Sequence, residues 1–161
     1  MSSARGHEEV NVPEHSPYVD AYFGASVWDD ARGDWLLTVA FPSGRTAEGS
    51  IRPEDNRLHL SSPELEESRS CVRWVQANES VLNQYVADKM YAGMLDWHDP
   101  EWGPALTQDE FRDKLALVGV QVLEDHRASL IFSDAGCFGG HAIVFSVGAD
   151  GKLDEEPNLW G

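Results

Sequence analysis

The residues best suited to chemistry lie close together near the end of the chain. Asp134, Cys137 and His141 share one glycine-rich stretch from Leu130 to Phe145, Leu-Ile-Phe-Ser-Asp-Ala-Gly-Cys-Phe-Gly-Gly-His-Ala-Ile-Val-Phe. A cysteine and a histidine on either side of a bend can form a nucleophilic dyad when the imidazole reaches the thiol and draws off its proton. Asp134 can then orient the ring, which gives one reading: a small enzyme using His141 with Asp134 or Cys137. The surroundings oppose it. An oxyanion hole draws on a helix N-terminus or a positive environment, whereas this turn joins two strands in a chain with 28 acidic and 12 basic residues. The favoured expectation is structural, and no catalytic residue is assigned. In it Phe138 plugs the core, Gly140 permits close backbone approach, and the His141 imidazole bonds a backbone carbonyl or a group near the tryptophans.

Other chemistries find less support. His141, Asp134, His98 and Asp99 offer imidazole and carboxylate ligands that suit zinc or manganese, but they come from distant segments. No HExxH or CxxC spacing is present, so neither a metal nor another cofactor is expected. Gly139-Gly140 lacks the lysine and following helix of a phosphate loop. His7 and His15 have no ligand pattern around them and are expected to be ordinary surface histidines.

The second candidate segment is Trp97-His-Asp99-Pro-Glu101-Trp102. As structure, its tryptophans would pin a loop onto the sheet. As function, Trp97 and Trp102 framed by Asp96, Asp99 and Glu101 have the make-up of an interface for a basic protein, aromatic anchors with an acidic rim. Trp97, Asp99, Glu101 and Trp102, with Asp134 in the later turn, are the expected partner-binding residues.

Composition narrows the partner. The 161 residues are 42% hydrophobic with a formal net charge of −16, a folding chain with a strongly negative field. Such a field repels nucleic acid and anionic membrane and attracts basic partners. Cys71 and Cys137 sit in unrelated contexts, which excludes a disulfide framework and fits a reducing, cytoplasmic compartment. The first residues lack the apolar core of a signal peptide, and no run approaches membrane-spanning length.

The elements that must position these residues can be read in order. Residues 1–17 are polar and expected to form a flexible arm ahead of a single domain over 18–161. Tyr18–Phe23 reads as a first strand continuing past Gly24 to Trp28. Trp35–Phe41 is a strand rich in aromatic and β-branched residues, and Arg45–Arg52 returns as a weaker one. A short strand around His59 follows. Ser61 with Glu64 is a capping box opening a helix, and Asn78 is positioned to cap a second, unless the two are one kinked helix. Val81, Leu82, Tyr85, Val86 and Met90 share the face expected to be buried. Thr107 with Glu110 opens a third helix. Strands over Val118–Leu123, Ala128–Phe132 and His141–Val147 complete the chain, with a short edge strand or tail at its end. Strands, helices, then strands again predict an α+β fold: a mainly antiparallel sheet with two to three helices packed on one face.

The second half also carries a family resemblance. Trp102, then Leu106-Thr107-x-x-Glu110-Phe111, Leu115-x-Leu117, and Phe132-Ser-Asp-x-Gly-Cys-Phe138-Gly-Gly140-His141-x-Ile143, with a closing Gly161, resemble the uncharacterised bacterial family catalogued as domain of unknown function 2262. Cys137 stands where an aliphatic residue is expected, so the resemblance does not require a thiol. It implies no catalytic residues. Its association with small acidic bacterial immunity proteins leads to the functional expectation: a non-enzymatic acidic protein that neutralises a basic toxin, such as a nuclease, by direct binding. A scaffold or regulatory domain is the third reading.

Overall fold

The computed structural model describes residues 18–53, 60–153 and 156–161. The arm expected over residues 1–17 and the strand expected around His59 lie outside them. The fold is α+β. Eight strands form one sheet in which spatial order follows chain order: β1 Tyr18–Asp20, β2 Gly24–Asp29, β3 Asp34–Ala40, β4 Thr46–Ile51, β5 Ala116–Val122, β6 Ala128–Ser133, β7 Ala142–Val147 and β8 Asn158–Trp160. Between β4 and β5 come α1 Ser62–Ala77, α2 Glu79–Trp97, a 3-10 turn Pro100–Trp102 and α3 Gln108–Lys114. Every neighbouring strand pair is antiparallel except β4 and β5, which run parallel. A parallel pair needs a long crossover, and the helices supply it.

Period-two alternation decides which side of the sheet is covered. Leu37 and Val39 on β3, Ala47 and Ile51 on β4, Val120 and Val122 on β5, and Leu130, Phe132, Ile143 and Phe145 on β6 and β7 are buried in one cluster with the helices. Register aligns them, with Val120 beside Leu130 and Leu130 beside Phe145. The alternate positions Ser50, Gln121, Ser129 and Ser146 align across the other face. Helix residues Val72, Val75, Leu82, Val86, Met94 and Phe111 close the core. Gly49 fits here because of its neighbours: a Cβ on it would lie 2.4 Å from Leu37 Cδ1.

Local chemistry explains most boundaries. Both capping boxes form, Ser61 with Glu64 at α1 and Thr107 with Glu110 at α3. α1 and α2 are separate helices meeting at Asn78, whose side chain caps nothing at α2; its Nδ2 instead donates to the Trp74 carbonyl at 2.8 Å.

Two further expectations fail. The strand read through Gly24 is a hairpin, β1 pairing with β2, because the Asp20 carboxylate accepts the N–H groups of Tyr22 and Phe23 at 2.8 and 2.9 Å and turns the chain. Asp20 is buried, and Arg69 of α1 donates to it and to Glu66, tying the hairpin to the helix. Val81 is 59% exposed rather than buried. The α2 face that meets the sheet runs through Leu82, Val86, Ala87, Met90 and Met94, which leaves Val81 just off the stripe.

Candidate functional site

The β6–β7 turn is built around Asp134. Its Oδ1 accepts the N–H of Gly136 at 2.9 Å, and its Oδ2 accepts those of Phe138 and Gly140 at 3.0 and 2.9 Å. Burial pushes this carboxyl up, but the three N–H donors together outweigh it and hold the group below the ordinary carboxylate range. Gly139 and Gly140 take φ of +67° and +90°, a region that side-chain-bearing residues seldom adopt. The turn therefore needs both the anion and the glycines.

Phe138 is fully buried and meets Phe111 and Trp97 edge to face. His141 Nδ1 lies 2.7 Å from the Phe138 carbonyl oxygen. A carbonyl only accepts, so Nδ1 carries the hydrogen and the neutral ring keeps its lone pair on Nε2. The ring rests against Trp97 and against Gly161, where a Cβ would come 3.1 Å from His141 Cδ2. Cys137 Sγ is 3.8 Å from the Ala135 carbonyl oxygen. Burial, then the charge of Asp134, push its thiol up despite Lys114, which disfavours a thiolate at neutral pH. Cys137 and His141 each bond the backbone of the turn rather than one another.

His98 Nε2 contacts the Gly103 carbonyl oxygen at 2.9 Å, and Asp99 caps the 3-10 turn by accepting from the Glu101 N–H at 2.9 Å. No group of three or more His, Cys, Asp or Glu residues able to hold a metal is found among the described residues.

The Trp97–Trp102 segment follows directly from the end of α2. Trp97 is 47% exposed even though it packs on Phe138 and His141, and Trp102 is 72% exposed with its ring edge-on to His98. Leu95 is exposed beside them. Asp96 and Glu101 are exposed and form no ion pair with a described basic side chain. Trp97, Asp99, Glu101 and Trp102 thus lie in one short segment, and contact between Trp97 and His141 joins it to the Asp134 turn. Leu95 and Trp160 were not singled out by sequence reasoning. Trp160 is 69% exposed on edge strand β8, opposite Ala142 and adjoining Gly161. Only the chain's pairing in space places it on the sheet face away from the helices, where it lines a hollow with Gln121 and Ile131.

The arrangement offers aromatic surface, fixed negative charge and one oriented imidazole. A family model described as an uncharacterized protein conserved in bacteria (DUF2262) matches residues 19–156, well beyond the second-half motifs that carried the resemblance. Neither a curated protein nor a solved structure matches the chain.

Proposed function

The chain belongs to this bacterial family, DUF2262, and from that premise we propose that it is a non-enzymatic acidic binding protein whose partner is a basic protein. The observation that carries the reading is the exposure of Trp97 and Trp102 within an acidic segment. Large aromatic side chains in water are costly unless a partner covers them, and acidic neighbours select a basic one. The net charge of −16 would speed encounter, while the tryptophans would slow dissociation. Its concrete form is a cytoplasmic immunity protein that caps a basic toxin such as a nuclease, with Asp134 as a fixed charge at the edge of the surface. No helix among the described residues is long and apolar enough to cross a membrane.

A small enzyme using His141 is the competing reading, and the orientation of its Nε2 lone pair is the observation in its favour. The raised thiol of Cys137 supplies it with no nucleophile.

The test is co-expression and titration against the product of the adjoining gene. Tight binding to a basic protein, weakened by salt and accompanied by relief of its toxicity, supports the proposal. A partner that is not basic, no binding at all, or toxicity left unchanged overturns it.

A further inference from the structure

We propose that the sheet face turned away from the helices binds a second copy of this chain, two sheets packing face to face about a two-fold axis. Among the described residues, α1, α2 and α3 all bury their apolar side chains against the opposite side. The uncovered face is crossed from β2 to β7 by the aligned row Val27, Leu36, Ser50, Gln121, Ser129 and Ser146. Ile131 and Val144 are paired in the next row, and Ala142 is paired with Trp160 beyond them.

Charge sets this face apart. Strands β5 to β8 contain no Asp, Glu, Lys or Arg, in a chain that is 25% charged. The solvated face of an antiparallel sheet ordinarily alternates polar residues with the buried ones, and charge guards its edge strands. Here Ile131, Ala142 and Val144 take outward positions, Trp160 stands exposed on edge strand β8, and Val27 is exposed on β2. The charged groups toward β2–β4 pair with one another: Arg32 with Glu48 and Asp29, and Arg52 with Asp34.

That distribution selects the occupant. A basic protein gains nothing from an uncharged surface, whereas two chains of net charge −16 can meet closely only where neither presents its acids. The cores of homodimer interfaces are likewise depleted of charge. With strands about 4.8 Å apart and a rise of about 3.3 Å per residue, the eight strands span roughly 700 Å². A standard interface takes about 800 Å² from each partner, so the face is of the right size. Shape adds a feature. Ile131 lies over Gly119, where a Cβ would come 3.0 Å from its Cδ1, beside a hollow of about 450 Å³ that Gln121 and Trp160 also line. A two-fold axis running along the strands between β6 and β7 sets β8 of each copy over β5 of the other, and so Trp160 over the hollow. Trp97 packs on buried Phe138, on the helix side. Self-association therefore leaves the tryptophan segment free, and it stands or falls apart from the partner proposed for that segment.

Sedimentation equilibrium of the full chain, with no other protein present, tests this from micromolar to millimolar concentration. A reversible shift from 17.9 kDa to twice that mass is expected. The dimer should tighten as salt screens the repulsion between the two acidic chains, the opposite of the salt response expected for a basic partner. Ser129→Glu places like charges at the centre of the face, and Trp160→Ala removes the exposed ring. Each should weaken the dimer about tenfold or more, with circular dichroism and the melting temperature of the dilute monomer unchanged; if Ser129→Glu does not fold, Trp160→Ala decides. Trp102→Ala should leave the dimer intact. A monomer at every concentration overturns the proposal, whether the face stays bare or is covered by another part of the chain. A dimer indifferent to Trp160→Ala, one abolished by Trp102→Ala, or one that loosens as salt rises also overturns it.

Discussion

Replacing Asp134 by alanine removes the acceptor for three backbone N–H groups at 2.9–3.0 Å. Hydrogen bonds to an ionised group contribute about 1.5–3 kcal/mol each when their loss strands a donor. Gly136 and Gly140 are exposed, so water replaces most of what they lose. Phe138 is fully buried, and its N–H regains least. Counting that bond in full and the other two at a fraction gives about 2–4 kcal/mol. At this chain length each kcal/mol moves the melting temperature by roughly 2–4 °C, so a fall of roughly 5–15 °C at neutral pH is expected. The tryptophan environment should change too, because Trp97 packs on Phe138 and His141 from the same turn. The pH dependence follows from the sign of the shift. Asp134 titrates below its ordinary value when folded, so its contribution is present above the unfolded value near 4 and lost as pH falls through the folded one. Urea unfolding of both proteins from pH 7 down to pH 2 measures this. The gap between them should narrow as acid protonates the wild-type carboxyl. Equal stability at pH 7, or a gap that persists undiminished at pH 2, would refute the assignment of Asp134 as the organising anion of the turn.

Other outcomes follow from the same geometry. The Asp20 carboxyl is held below its ordinary value chiefly by its hydrogen bond from Arg69, with burial opposing. Asp20→Asn should cost about 2 kcal/mol, toward the low side for breaking a buried pair because the Arg69 side chain stays 24% exposed. That loss should shrink in acid, as chemical denaturation across pH will show. Gly49→Ala places a Cβ against Leu37 Cδ1 and should destabilise by about 1–3 kcal/mol through overpacking, read from the urea midpoint. Ala135 holds φ at 54°, a strained conformation for alanine, and Ala135→Gly should stabilise by about 0.5–1 kcal/mol in the same assay.

The parts of the fold written locally were legible. Serine and threonine three residues ahead of glutamate marked the starts of α1 and α3, and alternation through Leu130, Phe132, Ile143 and Phe145 marked the core face of β6 and β7. What depends on distant pairing was not. The β1–β2 hairpin rests on one carboxylate folding back onto two N–H groups, and Asp20 looks in sequence like any acid ahead of a strand. The parallel pairing of β4 with β5 joins Glu48 to Gly119 across all three helices, and nothing in either strand announces its partner. At the site, the glycines and Asp134 pointed to a demanding turn. The contacts of His141 with Trp97 and with Gly161 depend on how the sheet edge and the end of α2 meet. Exposure of a tryptophan is likewise a property of what surrounds it, so sequence could propose Trp97 and Trp102 as anchors without showing them accessible.

The most direct test of the central claim is the affinity of Trp102→Ala for the basic product of the adjoining gene. Trp102 is 72% exposed, with its ring edge-on to His98, so its removal should leave the melting temperature nearly unchanged. Calorimetric titration of wild type and variant at low and moderate salt should show affinity reduced by about 30-fold or more, the cost of a central aromatic anchor of about 2 kcal/mol or above. The loss should fall mainly in the dissociation rate. Unaltered affinity in a folded Trp102→Ala protein would contradict the account.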